Sequence, residues 1–422
     1  MPSEIKITVD ELPSSIQEDA VYIINQPNPN SYTHNYFKYP CKFIPEIPRW
    51  AIRSYLDVNV INPRILDPFA GSGTSLLEAA LMGIDSIGTE IDEVAKLLIK
   101  VKTTQLSVEE MNEARRFSNS ILAELENGQY NKELVILPSI NNLEHWFQSQ
   151  NLEELGYIYY RICNIENIRV KEFLLICMAG IIKKVSNCDD ISPKPYVSNK
   201  VKKEPPCVAP SFFDAVEKNL EGMNNMLSQR LARVSVSGDA MNIDADDNSI
   251  DLAVTSPPYI NAFDYVRTMR LENLWLEMAT EDELRERKKL YFGTESIKTK
   301  EEKCNLSILD ESELLRSYYD KVCLVDEKRA LILKKFFEDM KSNLEEVYRV
   351  LKLGAKYVIV IGNSSIRKVD VESWKVIKAI AINMGYNYIT HIGYEIQNPY
   401  IRIPRGNKGG KIAIDHVLVL EK

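Results

Sequence analysis

Two short stretches concentrate the side chains that could do chemistry. Thr255-Ser-Pro-Pro-Tyr259 follows an apolar run at 250–254 that reads as a buried strand. Two successive prolines hold the backbone extended and carry no N–H of their own. Their carbonyls and the Ser256 hydroxyl can therefore converge on one substrate amino group, while Tyr259 offers a flat face for a ring to stack on. The second stretch, Asp67-Pro-Phe-Ala-Gly-Ser-Gly-Thr74, links an expected strand at 64–67 to an expected helix at 75–82. Its glycines let the backbone approach a ligand closely, and the helix N-terminus offers unpaired amides to polar ligand atoms. Glu90 ends the next expected strand, 85–90, where a carboxylate can accept both hydroxyls of a ribose. On its own, such a glycine-rich turn also fits a dinucleotide-binding fold.

The elements that must position these residues fall on both sides of a strand-poor region. Residues 1–34 read as an irregular N-terminal segment with Pro and Asn turns. A β-α-β pattern begins at Pro63. Helical periodicity then dominates 105–234, in 108–125, 152–165, 170–185 and 212–233, broken by a Pro- and Lys-rich stretch at 189–210. Strand patterns return at 234–238, 249–255, 356–361, 388–394 and 412–420, with helices at 336–351 and 374–384 and a polar, charged stretch at 280–325. The expected fold is α/β: one doubly wound, Rossmann-like sheet assembled from 35–104 and 235–422, with 105–234 as a helical insertion lobe.

Composition narrows the function classes. The 422 residues are 45% hydrophobic and 27% charged, as expected of a globular chain with a sizeable core. The longest apolar run, 173–182, is too short to cross a bilayer, and the N-terminus lacks a secretion pattern, so a cytoplasmic protein is expected. Seven scattered cysteines without a CxxC pair, and four dispersed histidines, argue against a disulfide framework or a metal centre. The net charge of −8 has the wrong sign for bulk attraction to nucleic acid. Contacts to phosphates would need local patches, and two segments without acids qualify. One, at 192–203, carries Lys194, Lys200, Lys202 and Lys203; the other, at 401–411, carries Arg402, Arg405, Lys408 and Lys411. Either also reads as an ordinary solvated loop.

The octapeptide at 67–74 resembles motif I of the DNA amino-methyltransferases, and Thr255-Ser-Pro-Pro-Tyr259 resembles their motif IV. Tyr39-Pro-Cys-Lys-Phe-Ile-Pro-Glu46 looks like motif X of the same family. The resemblance implies S-adenosylmethionine as cofactor. Its contacts would come from Tyr39, Lys42 and Phe43 of motif X, and from Asp67, Pro68, Phe69, Gly71, Ser72, Gly73 and Thr74 of motif I. Glu90 and Ile91, Asp239 and Ala240, and Thr255 would complete the set. Motif IV implies that Ser256, Pro257, Pro258 and Tyr259 carry the chemistry on a base flipped out of double-stranded DNA. An amine conjugated to a ring is a poor nucleophile. Accepting hydrogen bonds from both amino hydrogens favours a tetrahedral nitrogen and in-line attack on a sulfonium methyl. Asn261, Tyr265 and Arg267 would flank the base, with the lysines and arginines above on phosphates and 105–234 as the target-recognition region.

The Thr-Ser-Pro-Pro-Tyr form resembles cytosine N4 enzymes, whereas motif I preceding motif IV is the reverse of the order in many of them. Adenine N6 in DNA, or a base in RNA, therefore stays open. So does a non-catalytic DNA-binding subunit. A cognate restriction endonuclease is a conceivable partner, and neither membrane nor metal is expected.

Overall fold

The computed structural model describes residues 5–26, 30–40, 42–57, 59–260, 264–397 and 413–422. Its strands are β1 (Lys6–Val9), β2 (Val21–Ile24), β3 (Arg64–Asp67), β4 (Asp85–Thr89), β5 (Val234–Ser237) and β6 (Ile250–Thr255). They continue with β7 (Leu351–Gly362), β8 (Ser364–Ile366), β9 (Val369–Val371), β10 (Asn387–Glu395) and β11 (Ile414–Glu421). Strands β8 and β9 pair with each other, and the other nine form one sheet in the order β1-β2-β10-β11-β7-β6-β3-β4-β5. Among the described strands of this sheet, only β11 runs antiparallel to its neighbours, β10 and β7.

The central strands explain why they read as continuous apolar runs. Along β7, Tyr357, Ile359 and Ile361 face one side with the helices Glu327–Val350 and Ser373–Asn383. Val358 and Val360 alternate to the other side, with Ile47, Trp50 and Ala51 of the helix Glu46–Tyr55. A parallel sheet covered on both faces buries every residue of its middle strands, and all six residues of β6 are buried. Chain order reverses between β3 and β6: the crossovers from β3 go outward through β4 to β5, and those from β6 go outward through β7. Ligands of open α/β sheets bind at such a switch point, outside the strands' C-terminal ends. Both motifs leave the sheet there.

The helices Val108–Glu126, Ser149–Cys163, Ile168–Ile182 and Val208–Asn224 share one apolar cluster with Val94, Leu97 and Leu98 of the helix Glu93–Lys102. Tyr36, Phe37, Tyr39 and residues 266–284 contribute to the same cluster. These helices are thus packed onto the elements that carry the motifs.

Three readings of the sequence need correction, and a fourth stretch gains its structure. Residues 1–34 are not wholly irregular: β1 and β2 lie parallel at the sheet edge, with Val21 and Tyr22 of β2 against Gly393 and Tyr394 of β10. Four-residue edge strands between Pro and Asn turns are too short to show a period. The helix expected to reach 233 ends at Asn224, and the one expected from 336 begins at Glu327, where Asp326 caps it by accepting from the Arg329 amide. The charged stretch 280–325 is largely helical, led by Glu281–Leu290 with a Thr280/Glu283 capping box.

Gly88 of β4 shows how closely the motif I helix is seated. A Cβ there would lie 2.6 Å from Leu76 Cδ1 and 3.0 Å from Ala70 Cβ. Gly88→Ala should lower unfolding free energy by about 1–3 kcal/mol through overpacking; an unchanged denaturant midpoint would contradict this seating.

Candidate active site

A hydrogen bond joins the ends of the two motif-bearing strands. The Thr255 hydroxyl donates to Asp67 Oδ1 at 2.6 Å, and the Phe69 amide donates to the same oxygen at 3.1 Å. Asp67 is fully buried, and the loss of water around it pushes its carboxyl up to about 6. Above this joint the turn passes through Gly71 and Gly73, both at positive φ. A Cβ on Gly71 would press on the Tyr39 ring at 3.2 Å, so only glycine lets motif X close over the turn.

The resulting cavity has walls from every motif. Motif X supplies Tyr39, Lys42 and Phe43, motif I supplies residues 68–72 and Thr74, and Thr89 at the end of β4 is followed in the wall by Glu90 and Ile91. Gly238 to Met241, Ser256, Pro258 and Tyr265 complete the side nearest motif IV, and Leu290, Tyr291 and Phe292 close it from the 280–325 stretch. About 790 Å³ of space lies among these residues, part of it open to solvent. A larger open groove runs along β5 and the helix Glu93–Lys102 but contains no motif residue.

The cavity's groups fit S-adenosylmethionine. Glu90 sits at the end of β4 with Oε1 accepting the Ile91 and Asp92 amides, each at 2.8 Å. Burial, and the neighbouring Asp92, push its carboxyl up to about 8. A buried acid of this kind is poised to take two ribose hydroxyls. Phe69, Tyr291 and Phe292 offer apolar ring surface, with Phe69 and Phe292 edge to face at 4.8 Å. Tyr265 stacks between Tyr39 at 6.1 Å and Tyr291 at 6.3 Å.

A second layer holds this wall in place. Lys102, completely buried, donates to the Ser72 carbonyl at 2.5 Å, and burial drives its ammonium far below the usual lysine range. Thr33 donates to the Lys102 carbonyl at 2.8 Å, and Lys42 donates to the His34 carbonyl at 3.0 Å. His34 Nε2 meets Glu78 Oε1 at 2.9 Å, and Arg49 Nε donates to Glu78 Oε2 at 2.9 Å. Burial lowers the His34 imidazole to about 4. Asp92 accepts from Asn273 Nδ2 at 2.8 Å, tying the end of β4 to the helix Arg270–Trp275.

Several expected contacts stand elsewhere. Asp67, Gly73 and Thr255 brace the cavity from behind and are not among the residues lining it. Gly73 backs onto Ile99, whose Cγ1 would lie 2.9 Å from an added Cβ. Within motif IV, Ser256 and Pro258 reach the cavity wall, whereas Pro257 is buried and Tyr259 packs partly against the core. The Tyr259 hydroxyl donates to Asp415 Oδ1 at 2.7 Å. Tyr265, expected beside the base, lines the cavity with Tyr39, and Arg267 is exposed. Lys203 is paired with Asp190 at 2.6 Å, while Lys200 and Lys202 are exposed. Asn261, Arg402 and Arg405, with Lys408 and Lys411, lie outside the described residues.

The reading of the sequence missed Tyr291, Phe292 and Lys102. An aromatic pair before Gly293 in an otherwise polar stretch was the available signal for the first two. Lys102 had none, because a lysine at a helix end normally faces water.

A family model described as DNA methylase matches residues 8–101, and one described as an RMKL-like methyltransferase domain matches 61–147. Both matches include motif I and Glu90, the first also motif X, and the chain is similar there to DNA methylases. Among curated proteins, the type II methyltransferase M.MvaI of Kocuria varians is 24% identical, covering 94% of this chain and 91% of its own. The type II methyltransferase M.AvaI of Anabaena variabilis is 24% identical over 86% of this chain and 80% of its own. A solved SAM-dependent methyltransferase from Methanosarcina mazei aligns over 88% of this chain and 96% of its own, at 12% identity and a TM-score of 0.30.

The raised Glu90 carboxyl sets a pH dependence. In the empty cavity it is protonated below about 8. Ribose hydroxyls donating to it favour the ionised form, as does a sulfonium charge in the same cavity. Binding at neutral pH therefore expels a proton, and affinity should rise with pH until it levels off above that value. Calorimetry should show cofactor affinity climbing between about pH 6 and pH 8. Glu90→Gln should bind more than about tenfold more weakly, with the slope lost. A flat wild-type profile would overturn the assignment.

Proposed function

We propose that this protein methylates the N4 amine of cytosine in double-stranded DNA, as the modification arm of a type II restriction-modification system. The observation that carries the reading is Ser256, the motif IV hydroxyl that reaches the cavity wall shared with Glu90 and the motif I turn. Bound S-adenosylmethionine supplies an electrophilic methyl group. The Ser256 hydroxyl and the Pro257 carbonyl accept the two amino hydrogens of the flipped base, and these bonds strengthen as its nitrogen becomes tetrahedral. Tyr259 offers its ring to the base. A hydroxyl at position 256, rather than a carboxylate or amide, resembles the cytosine group. The type II relatives support the biological setting, in which a partner endonuclease would cut the unmethylated site.

A second reading, adenine N6, is favoured by one observation: motif I precedes motif IV along the chain. Mass spectrometry of nucleosides from DNA methylated by the protein distinguishes the two. N4-methylcytosine is expected; N6-methyladenine alone would replace the first reading with the second. Ser256→Ala should lower turnover while leaving cofactor affinity nearly intact, and wild-type turnover in that variant would remove Ser256 from the chemistry.

Support for phosphate contact comes from the 192–203 segment. The segment carries no acid, and its Lys200 and Lys202 are exposed. Replacing Lys194, Lys200 and Lys202 together should flatten the slope of log affinity against log salt by about two to three units. An unchanged slope would make the segment an ordinary solvated loop.

A further inference from the structure

Building on the reading that Tyr259 presents its ring to the target base, we propose that Asp415 is a positioning residue for methyl transfer, setting the plane of that ring through its hydroxyl. Asp415 is the second residue of β11, directly paired with Gly362 at the end of β7 and with Tyr394 of β10. Because β11 runs antiparallel to β7, its first residues arrive at the sheet edge where β6 delivers motif IV. The Tyr259 side chain crosses the end of β7 to reach it.

The carboxylate is shared by two phenols. Tyr259 donates to Oδ1 at 2.7 Å and Tyr394 donates to Oδ2 at 2.9 Å. A phenolic O–H lies in the plane of its ring by conjugation, so an acceptor at a fixed point selects one ring orientation. The acceptor is itself fixed, since its second oxygen is held by Tyr394, which is 2% exposed. The following peptide is tied as well, with Ser364 Oγ donating to the Ile260 carbonyl at 3.4 Å.

The arrangement is costly, which separates it from ordinary packing. Asp415 is 6% exposed, and among the described residues no cation pairs with it. A buried acid without a partner cation opposes folding, and burial raises this one to about 6. Phenylalanine at 259 with an apolar residue at 415 would pack without that cost. Keeping the acid and both phenols makes sense where ring orientation matters to rate.

The test uses the full-length protein, unmethylated genomic DNA and radiolabelled S-adenosylmethionine, with the wild type alongside Asp415→Asn, Tyr259→Phe and their double variant. Tyr259→Phe keeps the stacking face and loses only the hydroxyl. Each single variant should lower kcat about tenfold with KM for the cofactor unchanged, and the double should be no worse than the poorer single. Multiplying effects would show that the two residues act separately and overturn the proposal, as would wild-type kcat in either single variant. If Asp415→Asn fails to fold, Tyr259→Phe tests the same bond from the other side, and wild-type kcat there overturns it. A wild type that transfers methyl groups while the singles do so equally well refutes this inference alone. A wild type that modifies no DNA refutes the underlying reading, and the inference falls with it.

Discussion

The buried bond from Thr255 to Asp67 is the joint on which the site depends. The methyl donor and the acceptor amine must meet in line, so the loops that hold them have to be placed against each other to a fraction of an ångström. Those loops lie far apart in sequence, 188 positions between the bonded residues. The sheet solves the coarse problem by making β3 and β6 neighbours, with Ile65 opposite Leu252 and Leu66 opposite Ala253. The side-chain bond solves the fine one, because it acts just beyond the last paired residues, where the two chains would otherwise diverge. The Phe69 amide on the same carboxylate extends that control into the turn.

Around this joint the protein keeps an unusual density of buried charge. Glu90, Asp92, Glu272 and Asp67 all have carboxyls raised by burial, and Lys102 is lowered by it. Each acid that is raised opposes folding above its ordinary range, and that opposition grows as pH rises through the interval between its unfolded and folded values. Such groups are disfavoured as packing and are concentrated where a ligand is met. The cofactor reverses part of the cost by giving Glu90 hydroxyl donors, so the empty enzyme is expected to be the less stable form.

What could be read from the sequence follows from how local the physics is. The glycine-rich turn, the strand before it and the acid after it lie within one β-α-β unit, and backbone requirements wrote them plainly. Ser256 was legible for the same reason, since two prolines after a buried strand leave few conformations. Asp415 was not: nothing in the pattern of its strand marks it, and only the antiparallel return of β11 brings it to Tyr259. Tyr291 and Phe292 were hidden by their charged surroundings, and the edge strands β1 and β2 by their shortness. The missed features share one property, that their partners are set by tertiary contacts and have no fixed sequence offset.

The helices between β4 and β5 bear on how target recognition could reach the chemistry. They are packed through one continuous apolar cluster onto the helix Glu93–Lys102, onto Tyr36 to Tyr39, and onto residues 266–284. The first of these ends at Lys102, which holds the Ser72 carbonyl; the second leads into motif X; the third follows motif IV. A close-packed core transmits displacement because it lacks the free volume to absorb it. Movement of the lobe on DNA would therefore bear on all three walls of the cavity together. Tyr39 belongs to that cluster and its ring lies against Gly71, so a displacement of the lobe would act on the contact that closes motif X over the turn.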